Sequence, residues 1–304
     1  MTKKIPFKAD MQFEYGVPRE LAPGIRRLVA NNGGPFTFKG TNTYLIGHRE
    51  IAIIDPGPDD PEHLQAILNA AESGKITHII ITHTHMDHTE GLSALRHATG
   101  AKTYGAHTPH APRGTPTYSP TKGDFVDRDF LPDIIVRDGD LIKTDEWRLQ
   151  AIHTPGHAPD HICLASLDQN VLLSGDHVMA WNTSVIAPPE GNMNDYMTSL
   201  EKLLEHEHDQ FLPAHGGTID RPRRVVRAYL VHRKMRESSI LEAIRAGHQT
   251  IPNISEKVYS GIDAAYVNAA KLSVFAHVER LYASGHISCE GPFSEDASFS
   301  PSGL

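Results

Sequence analysis

A chain of 304 residues, 39% apolar and 22% charged, can bury a sizeable core without disulfides and fits one large domain or a domain with an appendage. Its net charge of −8 gives no global attraction to nucleic acid or an anionic membrane, so contact with RNA or DNA would need a local basic patch. Two distant cysteines, Cys163 and Cys289, fit a reducing compartment, and neither a secretion signal nor a run of roughly 18 apolar residues is seen, which predicts a cytoplasmic chain without a membrane partner.

In chain order, Thr43–Ile46 and Ile51–Ile54 are β-rich runs joined by Gly47-His-Arg-Glu50, a hairpin pattern. Asp60 can cap a helix with Pro61 in its first turn; Leu64, Ile67 and Leu68 form its apolar face and Gly74 ends it. A buried strand over Ile76–Thr82 and a helix near Leu92–His97, stopped by Gly100, follow. Residues 106–132, rich in Pro, Gly, Thr and Asp, read as a long surface loop or lid. Strands are predicted at Trp147–Ile152, His161–Ser166, Val171–Ser174 and Phe211–Pro213, with a helix over Asn194–His206. This alternation predicts an α/β domain over 1–220. Helical patterns over 221–247, Ile254–Tyr259 and Ala264–Ser284, with a small β-wing at Gly285–Cys289, predict a second domain over 221–290, and 291–304 has the composition of a flexible tail.

The twenty histidines matter by position. In Ile81-Thr-His-Thr-His-Met-Asp-His88, four side chains able to bind metal (His83, His85, Asp87, His88) fall within six residues at a strand end. His83 and His85 project to one side because strand side chains alternate, and the turn into a helix carries Asp87 and His88 elsewhere. Imidazole with carboxylate suits zinc, with Mn2+ or Fe2+ compatible, and no CxxC accompanies it as in a zinc finger. Three further pieces lie at glycine-flanked strand ends: His153-Thr-Pro-Gly-His157, Ser174-Gly-Asp176 and Pro213-Ala-His215-Gly-Gly217.

HxHxDH followed by TPGH, GD and a late AHG resembles the metallo-beta-lactamase superfamily over residues 20–220. The resemblance implies an αβ/βα four-layer sandwich with two divalent metal ions, most simply Zn2+, between its sheets. It implies that His83, His85 and His157 hold the first ion, that Asp87, His88 and His215 hold the second, and that Asp176 bridges them. Asp55 matches a supporting aspartate behind the site. Two ions about 3.5–4 Å apart lower the pKa of a bridging water and neutralise a developing oxyanion, which implies a hydrolase using a bridging hydroxide. Asp87 is the expected catalytic residue, moving a proton to the leaving group. His153 and His161 are candidates for orienting a ligand, and His177 for lining the pocket.

Within the superfamily, Asn42-Thr-Tyr-Leu45, Asn194–Leu200 and Val231–Glu237 resemble the beta-lactamase-like protein 2 group, whose catalytic domain is followed by a small winged-helix-like domain. That group includes an endoribonuclease on single-stranded RNA and is related to fungal acyl-carrier-protein thioesterases. Seven basic residues and no acid lie between Arg221 and Arg236, a stripe that could meet phosphates or be a solvated helix face. The leading expectation is therefore cleavage of single-stranded RNA. A thioesterase or lactonase on a small acyl ester or thioester is the alternative, and a non-catalytic, metal-stabilised nucleic-acid binder a third. A homodimer is compatible with the superfamily, though no sequence feature requires one.

Overall fold

The computed structural model describes residues 5–109 and 125–303; residues 110–124 of the predicted loop lie outside the described part. The first sheet runs, in spatial order, β1 (Arg19–Ala22), β2 (Ile25–Val29), β3 (Asn42–Ile46), β4 (Glu50–Ile54), β5 (Lys75–Ile80), β6 (Lys102–Gly105) and β7 (Ile134–Ile135). The second comprises β8 (Leu141–Lys143), β9 (Arg148–His153), β10 (Ile162–Ser166), β11 (Val171–Gly175) and β12 (Gln210–Pro213), with β12 and β8 at its edges.

The sheets bury their facing sides against each other: Tyr44, Ile54 and Ile80 of the first pack with Leu149, Leu164 and Leu173 of the second. Each fully buried leucine there contributes roughly 1.5–3 kcal/mol. The outer face of the first sheet is covered by α1 (Pro61–Ala70) and α3 (Leu92–Thr99), through Ala66, Ile67 and Leu95. Asp60 caps α1 as expected, accepting from the Glu62 N–H at 2.9 Å. The outer face of the second sheet is covered by α4 (Met193–Leu203) and the start of α5 (Pro222–Arg245), through Tyr196, Leu200, Val226 and Tyr229. Helix, sheet, sheet, helix is the four-layer αβ/βα arrangement.

Strand direction determines where the motifs meet. β4 and β5 are parallel, with Ile54 opposite Ile80, so Asp55 and the histidine-rich turn leave the first sheet at the same edge. β11 and β12 are also parallel, with Gly175 opposite Pro213, so Asp176 and His215 leave the second sheet together. The edges are tied across: the Asn42 N–H donates to the Ala214 carbonyl at 2.7 Å, and its side-chain amide to the Pro213 and Gly216 carbonyls.

α5 has 24 residues, a length of about 36 Å. Its first half belongs to the sandwich, while Ile240, Ala243 and Ile244 enter a separate apolar core with α6 (Ile251–Val258) and α7 (Val267–Ala283). One unbroken helix thus feeds both cores. A strand, β13 (Ile287–Cys289), forms where the β-wing is expected, and its partner comes from an unexpected place. Within the segment read as a flexible tail, β14 (Phe299–Pro301) pairs antiparallel with β13 and buries Phe299 completely. Serine and proline suggested disorder, yet one aromatic anchor and a strand partner suffice to order the segment. No helix among the described residues is long and apolar enough to cross a membrane.

Candidate metal centre

The four sequence motifs converge. His83, His85, His157 and Asp176 form one group of metal-ligating side chains and Asp87, His88 and His215 a second, the ligand atoms within each lying within 4.8 Å of one another. His85 Nδ1 is 3.0 Å from both His83 Nε2 and His157 Nε2. His215 Nε2 is 3.2 Å from Asp87 Oδ2 and 3.3 Å from Asp176 Oδ1, while the other Asp176 oxygen faces His157 Nε2 at 3.5 Å. Asp176 therefore stands between the groups. The short helix α2 (Met86–Thr89) carries Asp87 and His88, and the His88 ring lies 4.2 Å from that of His83, so the two groups adjoin.

Three of the rings are held from behind. His88 Nδ1–H donates to Asp55 Oδ2 at 2.9 Å, and Asp55 also accepts from the Thr82 N–H and hydroxyl. His157 Nδ1–H donates to the Val185 carbonyl at 2.7 Å and His215 Nδ1–H to the Gly40 carbonyl at 3.2 Å. With the outer nitrogen engaged, the inner Nε2 presents its lone pair to the centre. His88 Nε2 is buried without a hydrogen-bond partner, an orphan that a cation would satisfy. Asp55 takes up positive φ (51°), an uncommon conformation tolerated by Asp where surroundings over-determine it.

Charge follows the same logic. Burial and neighbouring imidazoles hold His83 and His85 well below the ordinary histidine range, leaving neutral rings. Burial would raise Asp176, but His215, His88 and His157 outweigh it and keep the carboxylate ionised. Burial would lower His88, yet Asp87 and Asp55 lift it to about 9. The donor set thus offers fixed anions and ring nitrogens that a divalent cation can occupy by displacing protons. Five imidazoles and two carboxylates suit two metal ions.

Of the other candidates, His161 touches a ligand: its Nε2 accepts the Asp176 N–H at 3.1 Å, with Nδ1 against the Thr154 hydroxyl. A Cβ on Gly175 (φ +50°) would lie 2.4 Å from that nitrogen, so the glycine admits the ring. His153 Nε2 turns to the Pro159 carbonyl, and His177 packs on Tyr196 away from the cavity. One contributor escapes sequence reading, and a second, Arg233, enters it only as a residue of the basic stripe that could reach the pocket mouth. The Thr41 hydroxyl donates to Asp87 Oδ2 at 3.1 Å. Buried Arg233 of α5 donates to the Ser184 carbonyl, while the Ser184 hydroxyl holds the Asp176 carbonyl, linking the C-terminal helix to a ligand.

A cavity of about 430 Å³ opens over the centre, walled by Phe36, Phe125, Met179 and Val185. Phe125 belongs to the segment read as a surface loop, yet its carbonyl accepts from Met86 N–H and Val126 pairs with His85, so this end is fastened to the motif. Among the described lining residues the only charged side chains outside the histidines are acids: Asp87, Glu90, Asp176 and Glu190. Glu190 is ion-paired with the partly buried Arg128.

The metallo-beta-lactamase superfamily profile matches residues 36–215. A beta-lactamase-like protein 2 homolog from Caenorhabditis elegans is 30% identical over 283 residues, covering 91% of this chain and 89% of that protein. An atrochrysone carboxyl ACP thioesterase from Aspergillus novofumigatus is 29% identical over 229 residues, 74% of this chain and 64% of its own. A crystal structure of a beta-lactamase domain protein from Burkholderia ambifaria superposes with a TM-score of 0.80 at 20% identity, covering 96% of each chain. Profile, relatives and fold agree with the converged motifs: the chain belongs to the metallo-beta-lactamase superfamily of hydrolases.

Proposed function

We propose that this chain is a two-metal hydrolase of acyl thioesters or esters. The observation that carries this reading is the cavity: apolar walls and an all-acid charged lining over a cation-demanding centre suit an uncharged acyl group. A polyanionic backbone would meet the Glu90 carboxylate there, while Glu190 already has its cation in Arg128. The thioesterase among the relatives supports the same reading.

In this account His83, His85 and His157, with Asp176, would hold one ion, and Asp87, His88 and His215 would hold the other, with Asp176 also in reach of His215. When bound, the two cations, zinc by donor preference, supply Lewis acidity and an acidified water. Asp55, Val185 and Gly40 aim the rings through their outer nitrogens. Asp87, its side chain 29% exposed, is placed to pass a proton to the departing thiolate or alkoxide. Phe36, Phe125 and Met179 exclude water around the acyl group. The C-terminal helices and hairpin are read as a winged-helix-like segment built onto α5.

Hydrolysis of single-stranded RNA is a second reading, favoured by the exposed Arg224, Arg227 and Lys234 of α5. Both are tested together: zinc- or manganese-loaded protein is given an acyl thioester and end-labelled single-stranded RNA, beside an Asp176→Ala variant. Thioester turnover lost in the variant, with RNA intact, is the expected result. RNA cleavage without thioester turnover would overturn it.

A further inference from the structure

Beside the metal-facing cavity lies a second one, of about 300 Å³, between the segment Trp181–Val185 and the C-terminal helices. The two share Pro35, Phe36, Met179 and Val185, so one extended ligand can occupy both. Their charges are opposite. The second cavity is lined by Arg233 and Arg236, with His232, and by no Asp or Glu among the described residues.

Neither arginine is neutralised. Arg233, 3% exposed, donates to the Ser184 carbonyl and lies 5.2 Å over the Tyr196 ring. Arg236 donates to the Val258 carbonyl at 3.1 Å and lies 4.1 Å over the Tyr259 ring. Neither joins an ion pair among the described residues, and Glu237, next along α5, is engaged by Arg280 and His277. Four buried nitrogens here lack partners: Nε of both arginines, Nδ1 of His232 and Nε1 of Trp181. Burial and then Arg233, Arg236 and His277 push the His232 imidazole down to about 4, as a site of uncompensated positive charge must. A buried charge without a counter-ion is costly, and unsatisfied buried donors ask for an explanation.

We propose that this crevice is a phosphate subsite: it takes a phosphate group on the arm of the same substrate whose acyl bond lies over the metal centre. Two guanidiniums match the charge and the multiple oxygens of phosphate better than those of a lone carboxylate. Apolar Phe36 and Met179 at the junction pass an uncharged linker from one cavity to the other. The C-terminal helices then contribute to substrate recognition as well as to stability. This rests on the ester-hydrolase reading and narrows it to acyl groups carried on phosphate-bearing arms.

The test compares two thioesters of one acyl group, hexanoyl-coenzyme A and uncharged hexanoyl-N-acetylcysteamine, on the metal-loaded full chain. The expected kcat/KM favours the phosphate-bearing thioester by about tenfold or more, through KM. Arg236→Gln collapses that ratio and Arg236→Lys restores part of it, which a merely structural role would not do. Equal kcat/KM for the two thioesters, or a ratio unchanged in Arg236→Gln, overturns the proposal. If neither thioester turns over, the ester-hydrolase reading fails, and calorimetry with coenzyme A still decides the subsite. Binding weakened about tenfold in Arg236→Gln supports it, and equal binding to both proteins overturns it. RNA cleavage sensitive to Arg236→Gln, with no preference between thioesters, would assign the arginines to nucleic acid and overturn it as well.

Discussion

The two cavities meeting at Phe36 differ in the sign of their charge and in where their residues come from. The metal-facing cavity draws its ligands from the edges of two sheets, with His88, His157 and His215 each oriented by a partner behind it. The crevice draws its cations from one helix, α5, and leaves them without counter-ions. Divalent cations would neutralise the first; among the described residues nothing neutralises the second. A site built for a resident ion completes its supporting shell, whereas a site built for a transient ligand leaves its charge open.

The largest effect should come from the point where the two ligand groups touch. Asp176→Ala removes the carboxylate between them, and turnover should drop by about 10³-fold or more while circular dichroism stays native. Retention of more than a tenth of the activity would remove Asp176 from the centre. Next comes Asp55→Ala, which strips support from His88 and Thr82 without touching the inner nitrogens. Affinity for one of the two ions should fall 10–100-fold, measured by competition with a chromophoric chelator. Equal loss at both ions would show that Asp55 does not act through His88 alone.

A smaller, purely structural effect is expected at Gly156. Its φ of +132° and a would-be Cβ 2.3 Å from the Tyr196 backbone predict that Gly156→Ala destabilises the fold by about 2–3 kcal/mol, read from thermal unfolding. A further effect is pH-dependent and belongs to the crevice side. His232 and His277 are both held to about 4, below their unfolded value. Their folded state prefers the neutral ring, so their contribution is complete above about 6.5 and is lost as pH falls toward 4. Denaturant titrations should show stability declining across that window. A phosphate-bearing ligand should raise the His232 value, visible as a shifted NMR titration; an unchanged titration would mean that no anion sits beside it.

Much of this architecture is written locally. His83, His85, Asp87 and His88 declare themselves because strand alternation and the following turn are short-range rules. His157, Asp176 and His215 lie at glycine-flanked strand ends and are marked as ligands by the family resemblance. Gly156 and Gly175 are there because Tyr196 and His161 come too close for a side chain. What sequence hides is what depends on distant packing. β1 and β2 carry Arg19, Arg26 and Arg27 and show no clear alternation, so the edge of the first sheet went unpredicted. The run from Arg221 to Arg236 reads as one basic stripe, but the helix divides it. Arg224, Arg227 and Lys234 face solvent, while Arg233 is buried against Ser184. Thr41 looks ordinary until the fold brings it to Asp87, and His161, a candidate from its place near His157, meets the Asp176 N–H.

The central claim is that seven side chains from two sheets hold two ions that the chemistry needs. The most direct measurement is metal content per chain, by mass spectrometry of protein freed of loosely bound metal, for the wild type and Asp176→Ala. The account predicts two ions per wild-type chain and one or fewer in the variant. A single ion in the wild type, or two in both proteins, would contradict it.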